Sequence, residues 1–157
     1  MHAIPTILIA EDDDGHAFLI EDCLRRAGLT APFLRFSDGQ ELLDFLFGRT
    51  LEPVFVHGNF YLLSLDIRMP RVDGIEALRQ IKSDAALRDL PVIMLTTADD
   101  ATDIQRCHGL GCNGYIQKPV SFDRFAATIT QFGQFISLLK LPRLFPEAGT
   151  EAIVAEF

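Results

Sequence analysis

The fold of this chain is indicated most directly by the stretch Tyr61-Leu62-Leu63-Ser64-Leu65-Asp66-Ile67-Arg68-Met69-Pro70, in which a short apolar run ends at a carboxylate. Three other apolar runs also end at polar residues: residues 7–10 before Glu11 and Asp12, residues 92–95 before Thr96, and residues 114–117 before Lys118. In an open parallel sheet, ligands bind just outside the carboxyl ends of the strands. The pattern therefore predicts that three acids, a hydroxyl and an amine converge on one edge of a parallel sheet.

Segments with helical periodicity alternate with these strand-length runs, which is typical of βαβ units around a parallel sheet. The sequence predicts strands at residues 6–10, 33–36, 61–65, 91–95 and 114–117. It predicts five helices, at about residues 16–27, 37–47, 74–83, 99–108 and 121–140. The second would begin at a capping box at residues 37–40, and the fourth at a cap at residue 99 or 100. Right-handed crossovers then place helices on both faces. We therefore expect an α/β fold with a doubly wound five-stranded parallel sheet and five helices.

The bulk properties limit the possible functions. A chain of 157 residues with 48% hydrophobic residues suits about one domain, and its net charge of −8 argues against a nucleic-acid partner. No basic stretch precedes an apolar core at the start, and no apolar run approaches ~20 residues, so neither a signal peptide nor a membrane span is predicted. The cysteines Cys23, Cys107 and Cys112 are odd in number and lack metal-ligand spacing, which favours a reducing, cytoplasmic location.

The predicted cluster has the chemistry of phosphoryl transfer. Neighbouring carboxylates at Glu11, Asp12 and Asp66 repel one another unless a cation bridges them, and an oxygen-rich site suits Mg²⁺. Lys118 supplies a point charge suited to phosphate, Thr96 supplies a hydroxyl donor, and Asp66 is the natural nucleophile. Each feature alone has a simpler explanation, because acids often cap helices and a lysine before a proline is usually exposed. Their ordered occurrence at four strand ends favours a reactive site.

At residues 4–140 the chain resembles the response-regulator receiver domains of two-component signalling, which have a flavodoxin-like fold. The resemblance is carried by Glu11-Asp12, Asp66 with Met69-Pro70 and Asp73-Gly74, Thr96, and Tyr115-Ile116-Gln117-Lys118-Pro119. It implies that a phosphohistidine of a sensor histidine kinase phosphorylates Asp66.

The same resemblance implies a set of site roles. Asp12 and Asp66 would ligate Mg²⁺ (or Mn²⁺) directly, Glu11 would do so through a water, and the backbone carbonyl of Arg68 would complete the protein ligands. Lys118 would bind a phosphoryl oxygen. The peptide bond between Lys118 and Pro119 would be cis. After phosphorylation, Thr96 would move onto the phosphate and Tyr115 would swing inward. This movement would reshape the face built from helix four, strand five and helix five.

Features outside these motifs resemble the stand-alone receivers paired with bacterial phytochromes: the loop at residues 48–59, the doublet Thr96-Thr97, and Lys140-Leu141-Pro142 at the end of a long last helix. The kinase partner is therefore expected to be a bacteriophytochrome. Two residues depart from the family's common pattern, Arg68 two positions after the phosphoacceptor and Ala98 two positions after Thr96. Both line the path of an attacking water, so they bear on the lifetime of the phosphorylated state.

Two other functions fit part of the pattern. A Mg²⁺-dependent phosphatase with an aspartyl nucleophile typically needs a second acid two residues later, where this chain has Arg68. A receiver that is not phosphorylated could act as a binding module, although all five chemical positions are retained. We expect no enzymatic activity beyond self-directed phosphoryl acceptance and autodephosphorylation.

The receiver domain is expected at residues 1–141, with residues 142–157 as a tail and no output domain after it. The last helix has a predicted core stripe of Phe122, Phe125, Ile129, Phe132, Ile136 and Leu139. It also carries apolar residues off that stripe, Phe135 and Leu138, and the tail adds Leu144, Phe145, Ile153, Val154 and Phe157. Such a surface favours a two-fold homodimer through helix four, strand five and helix five. The alternative is a tail that folds back over its own chain.

Overall fold

The sheet is built from the apolar runs that the sequence contains. The computed structural model describes residues 4–144 and 154–156. The strands of the main sheet are β1 (Thr6–Ala10), β2 (Phe33–Phe36), β3 (Tyr61–Leu65), β4 (Val92–Thr96) and β5 (Gly114–Gln117). The helices are α1 (Asp14–Arg26), α2 (Gly39–Leu46), α3 (Gly74–Ser83), α4 (Ala101–Leu110) and α5 (Phe122–Ile136). All pairings within this main sheet are parallel, in the order β2-β1-β3-β4-β5. The predicted doubly wound α/β fold is therefore confirmed.

The register of the sheet places the candidate residues. Ala10 lies opposite Leu65, so Glu11 and Asp66 follow neighbouring strands at the same level. Thr96 lies opposite Gln117, which brings Thr96 beside the residue that precedes Lys118. The strand order reverses direction between β1 and β3, and this is the point where ligands bind in such sheets.

Helices cover both faces of the sheet and form two apolar clusters. The residues of α1 and α5 pack with one cluster, and those of α2, α3 and α4 pack with the other. Four helices begin at an aspartate whose side chain accepts a backbone N–H of the first turn: Asp13, Asp38, Asp73 and Asp100. This is the preferred N-cap arrangement. None of the helices in the described part of the chain is long and apolar enough to cross a membrane.

The last helix is shorter than predicted. It ends at Ile136 rather than near Lys140, and residues Lys140–Pro142 form a short strand, β6, that pairs antiparallel with β7 (Val154–Glu156). Pro142 accounts for Leu141 not being helical, because a proline disfavours helical geometry in the residue before it, but it does not reach the end of α5 at Ile136. Phe122, predicted in the core stripe, is instead 68% exposed. The first turn of α5 therefore presents this ring to solvent.

The chain after α5 packs against the rest of the domain. Leu141 is buried in the cluster of α1 and α5, whereas Leu144 is buried in the cluster on the other face. The N–H of Gly58 donates to the carbonyl of Leu144 at 2.8 Å. Residues 140–144 thus fold back over their own chain. The other tail residues invoked for a dimer, Phe145, Ile153 and Phe157, lie outside the described residues.

Candidate phosphoacceptor and metal site

The first two acids of the site follow β1 directly. Glu11 is 1% exposed, whereas Asp12 is exposed at the surface. Asp13 then begins α1, and its side chain accepts the N–H of His16 at 2.8 Å. The cap therefore sets the start of α1 directly after the two acids.

The third acid, Asp66, follows β3 and is 7% exposed. Its backbone N–H donates to the carbonyl of Ala10 at 3.0 Å, which extends the pairing of β1 and β3 by one residue. Carboxylate oxygens of Glu11, Asp12 and Asp66 all lie within 4.8 Å of one another. The Oδ1 atom of Asp66 is buried and has no hydrogen-bond partner within the described residues.

Lys118 reaches this cluster from the end of β5. It is 3% exposed, its Nζ atom forms an ion pair with Oε2 of Glu11, and the same atom lies 3.7 Å from Oδ2 of Asp66. Its backbone N–H donates to the carbonyl of Thr96 at 2.8 Å, which holds the ends of β4 and β5 together. The structure therefore brings the predicted amine to the predicted nucleophile.

Burial disfavours the negative charges of the clustered carboxylates. Removal of Glu11 from water, together with the charge of Asp66, raises the pKa of Glu11 to about 7 even with Lys118 beside it. A divalent cation would offset the repulsion among the three carboxylates. The oxygen-only donor set and the unpartnered Oδ1 of Asp66 fit a hard cation such as Mg²⁺.

The two expected switch residues contact one loop. Thr96 is fully buried, and its Oγ1 atom accepts the N–H of Ala98 at 3.3 Å. The hydroxyl of Tyr115 donates to the carbonyl of the same Ala98 at 2.6 Å. Burial is the main reason that the pKa of Tyr115 is raised to about 12. Both side chains therefore meet at the loop between β4 and α4 rather than at Asp66.

The loop between β3 and α3 carries Arg68 and is closely packed against α2. The side chain of Arg68 is exposed. Arg71 has a positive φ of 65°, and its guanidinium forms two hydrogen bonds with Asp38, at 2.8 and 3.1 Å. A Cβ on Gly74 would lie 2.0 Å from the carbonyl oxygen of Asp66, so only glycine permits this approach.

Two residues at the site were not identified from the sequence. The Nδ1 atom of His16 lies 3.4 Å from Nζ of Lys118 and 3.7 Å from Oε1 of Glu11. Arg35, on the edge strand β2, contacts the backbone of Glu11 and Asp12. His16 has no metal-ligand spacing to another histidine or to a cysteine, so the sequence alone gives it no role at this site. Its place in the first turn after the acidic run was the available signal.

The predicted cis bond between Lys118 and Pro119 is wrong. Among the described residues the cis peptide bond is Glu52–Pro53, so Lys118–Pro119 is trans. The trans form of an X–Pro bond is favoured by about 0.5–1 kcal/mol.

Comparison with known proteins identifies the family. Residues 7–130 match the response regulator receiver domain. The chain belongs to this family. A response regulator receiver domain from Rhodospirillum rubrum is 42% identical, with a TM-score of 0.83, and the match covers 88% of this chain and 98% of that one.

Two similar receivers are phytochrome response regulators. The bacteriophytochrome response regulator RtBRR is 34% identical, with a TM-score of 0.69, and the match covers 87% of this chain and 82% of that one. The phosphorylated cyanobacterial phytochrome response regulator RcpA is 27% identical, with a TM-score of 0.76 and coverage of 85% and 94%. The resemblance to phytochrome-associated receivers is therefore confirmed.

Proposed function

We propose that this receiver domain is a phosphorylation-dependent switch in which Asp66 accepts a phosphoryl group from a phosphohistidine of a sensor histidine kinase. The observation that carries the proposal is the setting of Asp66. Its carboxylate is buried, Nζ of Lys118 lies 3.7 Å away, and two further carboxylates lie within 4.8 Å. A carboxylate, an amine and a cation site around one point are the parts that phosphoryl transfer needs.

In the proposed reaction an oxygen of Asp66 attacks phosphorus. The phosphorus–nitrogen bond breaks, and the imidazole of the kinase leaves with the bonding electrons. Glu11, Asp12, Asp66 and the backbone carbonyl of Arg68 would hold Mg²⁺ or Mn²⁺, which neutralises charge on the transferring oxygens when bound. Nζ of Lys118 moves from Glu11 to a phosphoryl oxygen, and burial of Asp66 limits attack by water.

The switch follows from the two contacts at Ala98. Once phosphate is present, the hydroxyl of Thr96 leaves the N–H of Ala98 and donates to a phosphoryl oxygen. The loop between β4 and α4 then moves, and with it the contact between Tyr115 and the carbonyl of Ala98. The surface of α4, β5 and α5 changes as a result, which transmits the signal to a partner.

The proposed partners are a phytochrome-type histidine kinase and a second copy of this chain. The similarity to RtBRR and RcpA supports the first. Two exposed apolar residues, one near the end of α5 and one just after it, support the second, since Phe135 is 54% exposed and Leu138 is 80% exposed. Sedimentation of the wild type and of Phe135→Ser/Leu138→Ser tests the dimer. A monomeric wild type at high micromolar concentration would contradict it.

Labelling with a phosphorylated histidine kinase tests the main proposal. Asp66→Asn should remove the label, and EDTA should prevent it in the wild type. Asp99→Asn is a matched control, because it neutralises an exposed acid in a neighbouring loop and should leave labelling unchanged. Equal labelling of Asp66→Asn and wild type would reject the assignment. Release of phosphate from a generic phosphoester would instead indicate a phosphatase.

A further inference from the structure

Arg35 lies close to the candidate metal site but belongs to none of the motifs that identify it. It is on the edge strand β2, opposite Ile9 in the parallel register, and two residues before the level of Glu11. Its side chain is 32% exposed. From this position it extends over the end of β1 to the run of acids at residues 11–14.

The guanidinium of Arg35 holds the backbone of two acids at once. Its Nε and Nη2 atoms donate to the carbonyl of Glu11 at 3.1 and 2.9 Å, and Nη2 also lies 3.3 Å from the carbonyl of Asp12. Its Nη1 atom pairs with Oδ1 of Asp14 at 2.6 Å. Because the guanidinium is planar and rigid, these bonds fix the position of the loop, and its positive charge offsets part of the loop's negative charge.

The bonds to the two carbonyls matter more than the ion pair. The side chain of Asp14 is 90% exposed, and ion pairs between exposed groups contribute little. In contrast, Glu11 and Asp12 supply two of the three clustered carboxylates. The backbone carbonyls that Arg35 contacts belong to these same two residues. A loop of consecutive acids would otherwise separate, because its carboxylates repel one another.

We infer that Arg35 is a positioning residue of the metal site: it holds the loop of Glu11 and Asp12 in the geometry that receives a divalent cation. The inference rests on the metal site proposed above. Partners that orient metal ligands typically change metal affinity by about 10- to 100-fold when they are lost. Arg35 does so through the ligands' backbone, and without contacting the cation.

Charge alone would have the opposite effect. A cation near a metal site weakens the binding of Mg²⁺ or Mn²⁺, so removing the charge of Arg35 should strengthen it if positioning were unimportant. Arg35→Lys separates the two effects, because lysine keeps the charge and cannot reproduce the forked contacts to Glu11 and Asp12. Arg35→Gln removes both the charge and the fork.

Two variants serve as matched controls. Arg25→Lys makes the same replacement at a nearby arginine, which contacts Glu21 at 2.9 Å and the ring of Phe33 on the same strand β2. Asp14→Asn removes the exposed ion pair of Arg35 while keeping its bonds to the two carbonyls. Arg25→Lys should bind metal as the wild type does, and Asp14→Asn should weaken binding by less than the Arg35 variants do, because the charge of its exposed side chain is screened by solvent.

The experiment is a titration of the full chain with Mn²⁺, in which electron paramagnetic resonance measures free metal. All variants are compared at a temperature where urea unfolding in EDTA shows them folded. We expect Arg35→Lys and Arg35→Gln to bind Mn²⁺ about 10-fold more weakly than the wild type. Equal affinity of Arg35→Lys and wild type, or tighter binding by Arg35→Gln, would overturn the inference. A wild type that binds no Mn²⁺ would instead overturn the metal site itself.

Discussion

The loops after β1 and β3 differ from the loops after β4 and β5 in how they are held. Arg35 holds the first loop by its backbone, and the second is fixed to α2 by the ion pair of Arg71 with Asp38. The loop after β4 is instead held by the hydrogen bonds at Ala98, and in the loop after β5 Val120 is fully exposed. The loops after β1 and β3 are therefore the firm half of the site. The loops after β4 and β5, which are expected to switch, have fewer restraints and are the weaker half. Segments with few buried contacts open most easily.

Lys118 connects the two halves, and its removal should have the largest effect. Lys118→Met leaves Glu11 and Asp66 buried together without their cation. Breaking a buried ion pair by removing one partner destabilises by about 3–5 kcal/mol. Urea unfolding in EDTA measures this loss, and Mg²⁺ should restore part of it.

Lys82→Met is the control for the Lys118 variant, because Nζ of Lys82 donates to the backbone carbonyls of Arg88 and Leu90. It leaves no carboxylate cluster without a cation, so the loss should be smaller and independent of Mg²⁺. Equal losses in the two variants would mean that Lys118 acts as an ordinary buried side chain rather than as the link between the halves.

The firm half should not tolerate a side chain at Gly74. In Gly74→Ala the new Cβ would lie 2.0 Å from the carbonyl oxygen of Asp66, which is backbone and cannot move freely. Overpacking of this kind costs typically 1–3 kcal/mol, and we expect about 3 kcal/mol in the free energy of unfolding. Gly109→Ala is the matched control, since its Cβ would lie at an exposed helix position with no atom within 4 Å beyond the neighbouring residues and backbone of its own helix. That variant should be neutral or slightly stabilising.

The ion pair of Asp38 with Arg71 should make the firm half sensitive to acid. Although burial of Asp38 raises its pKa, the hydrogen bonds from Arg71 and from the N–H of Glu41 outweigh burial and lower it. A lowered carboxylate pKa contributes stability that is present above the unfolded-state value of about 4 and is lost as pH falls through the folded-state value. Asp38→Asn should therefore cost about 2 kcal/mol at neutral pH and less in acid. A loss that stays constant from neutral pH to acid would exclude the ion pair as its cause.

The sequence predicted the strands, and it predicted that the polar residues after them lie close together, because both depend on local patterns. The apolar runs that end at Glu11, Asp66, Thr96 and Lys118 can be read directly from the sequence. Arg35 and Arg71 were not predicted, because their roles depend on side chains that cross from one loop to another. The end of α5 was also misplaced. Pro142 marks the limit of a helix, but the packing of Leu141 and Leu144 decides where the chain goes next.

The weaker half should respond least to a single change, and Tyr115→Phe tests this. The substitution keeps the ring and removes the hydrogen bond from its hydroxyl to the carbonyl of Ala98. One such bond contributes about 1 kcal/mol, so stability should fall by about that amount. Affinity for Mn²⁺ should not change, because Tyr115 contacts the loop after β4 and not the carboxylates. Hydrogen exchange should show faster opening at residues 97–100, with residues 67–73 unaffected. Faster exchange at residues 67–73 as well would show that the two halves open as one unit, and the contrast between them would fail.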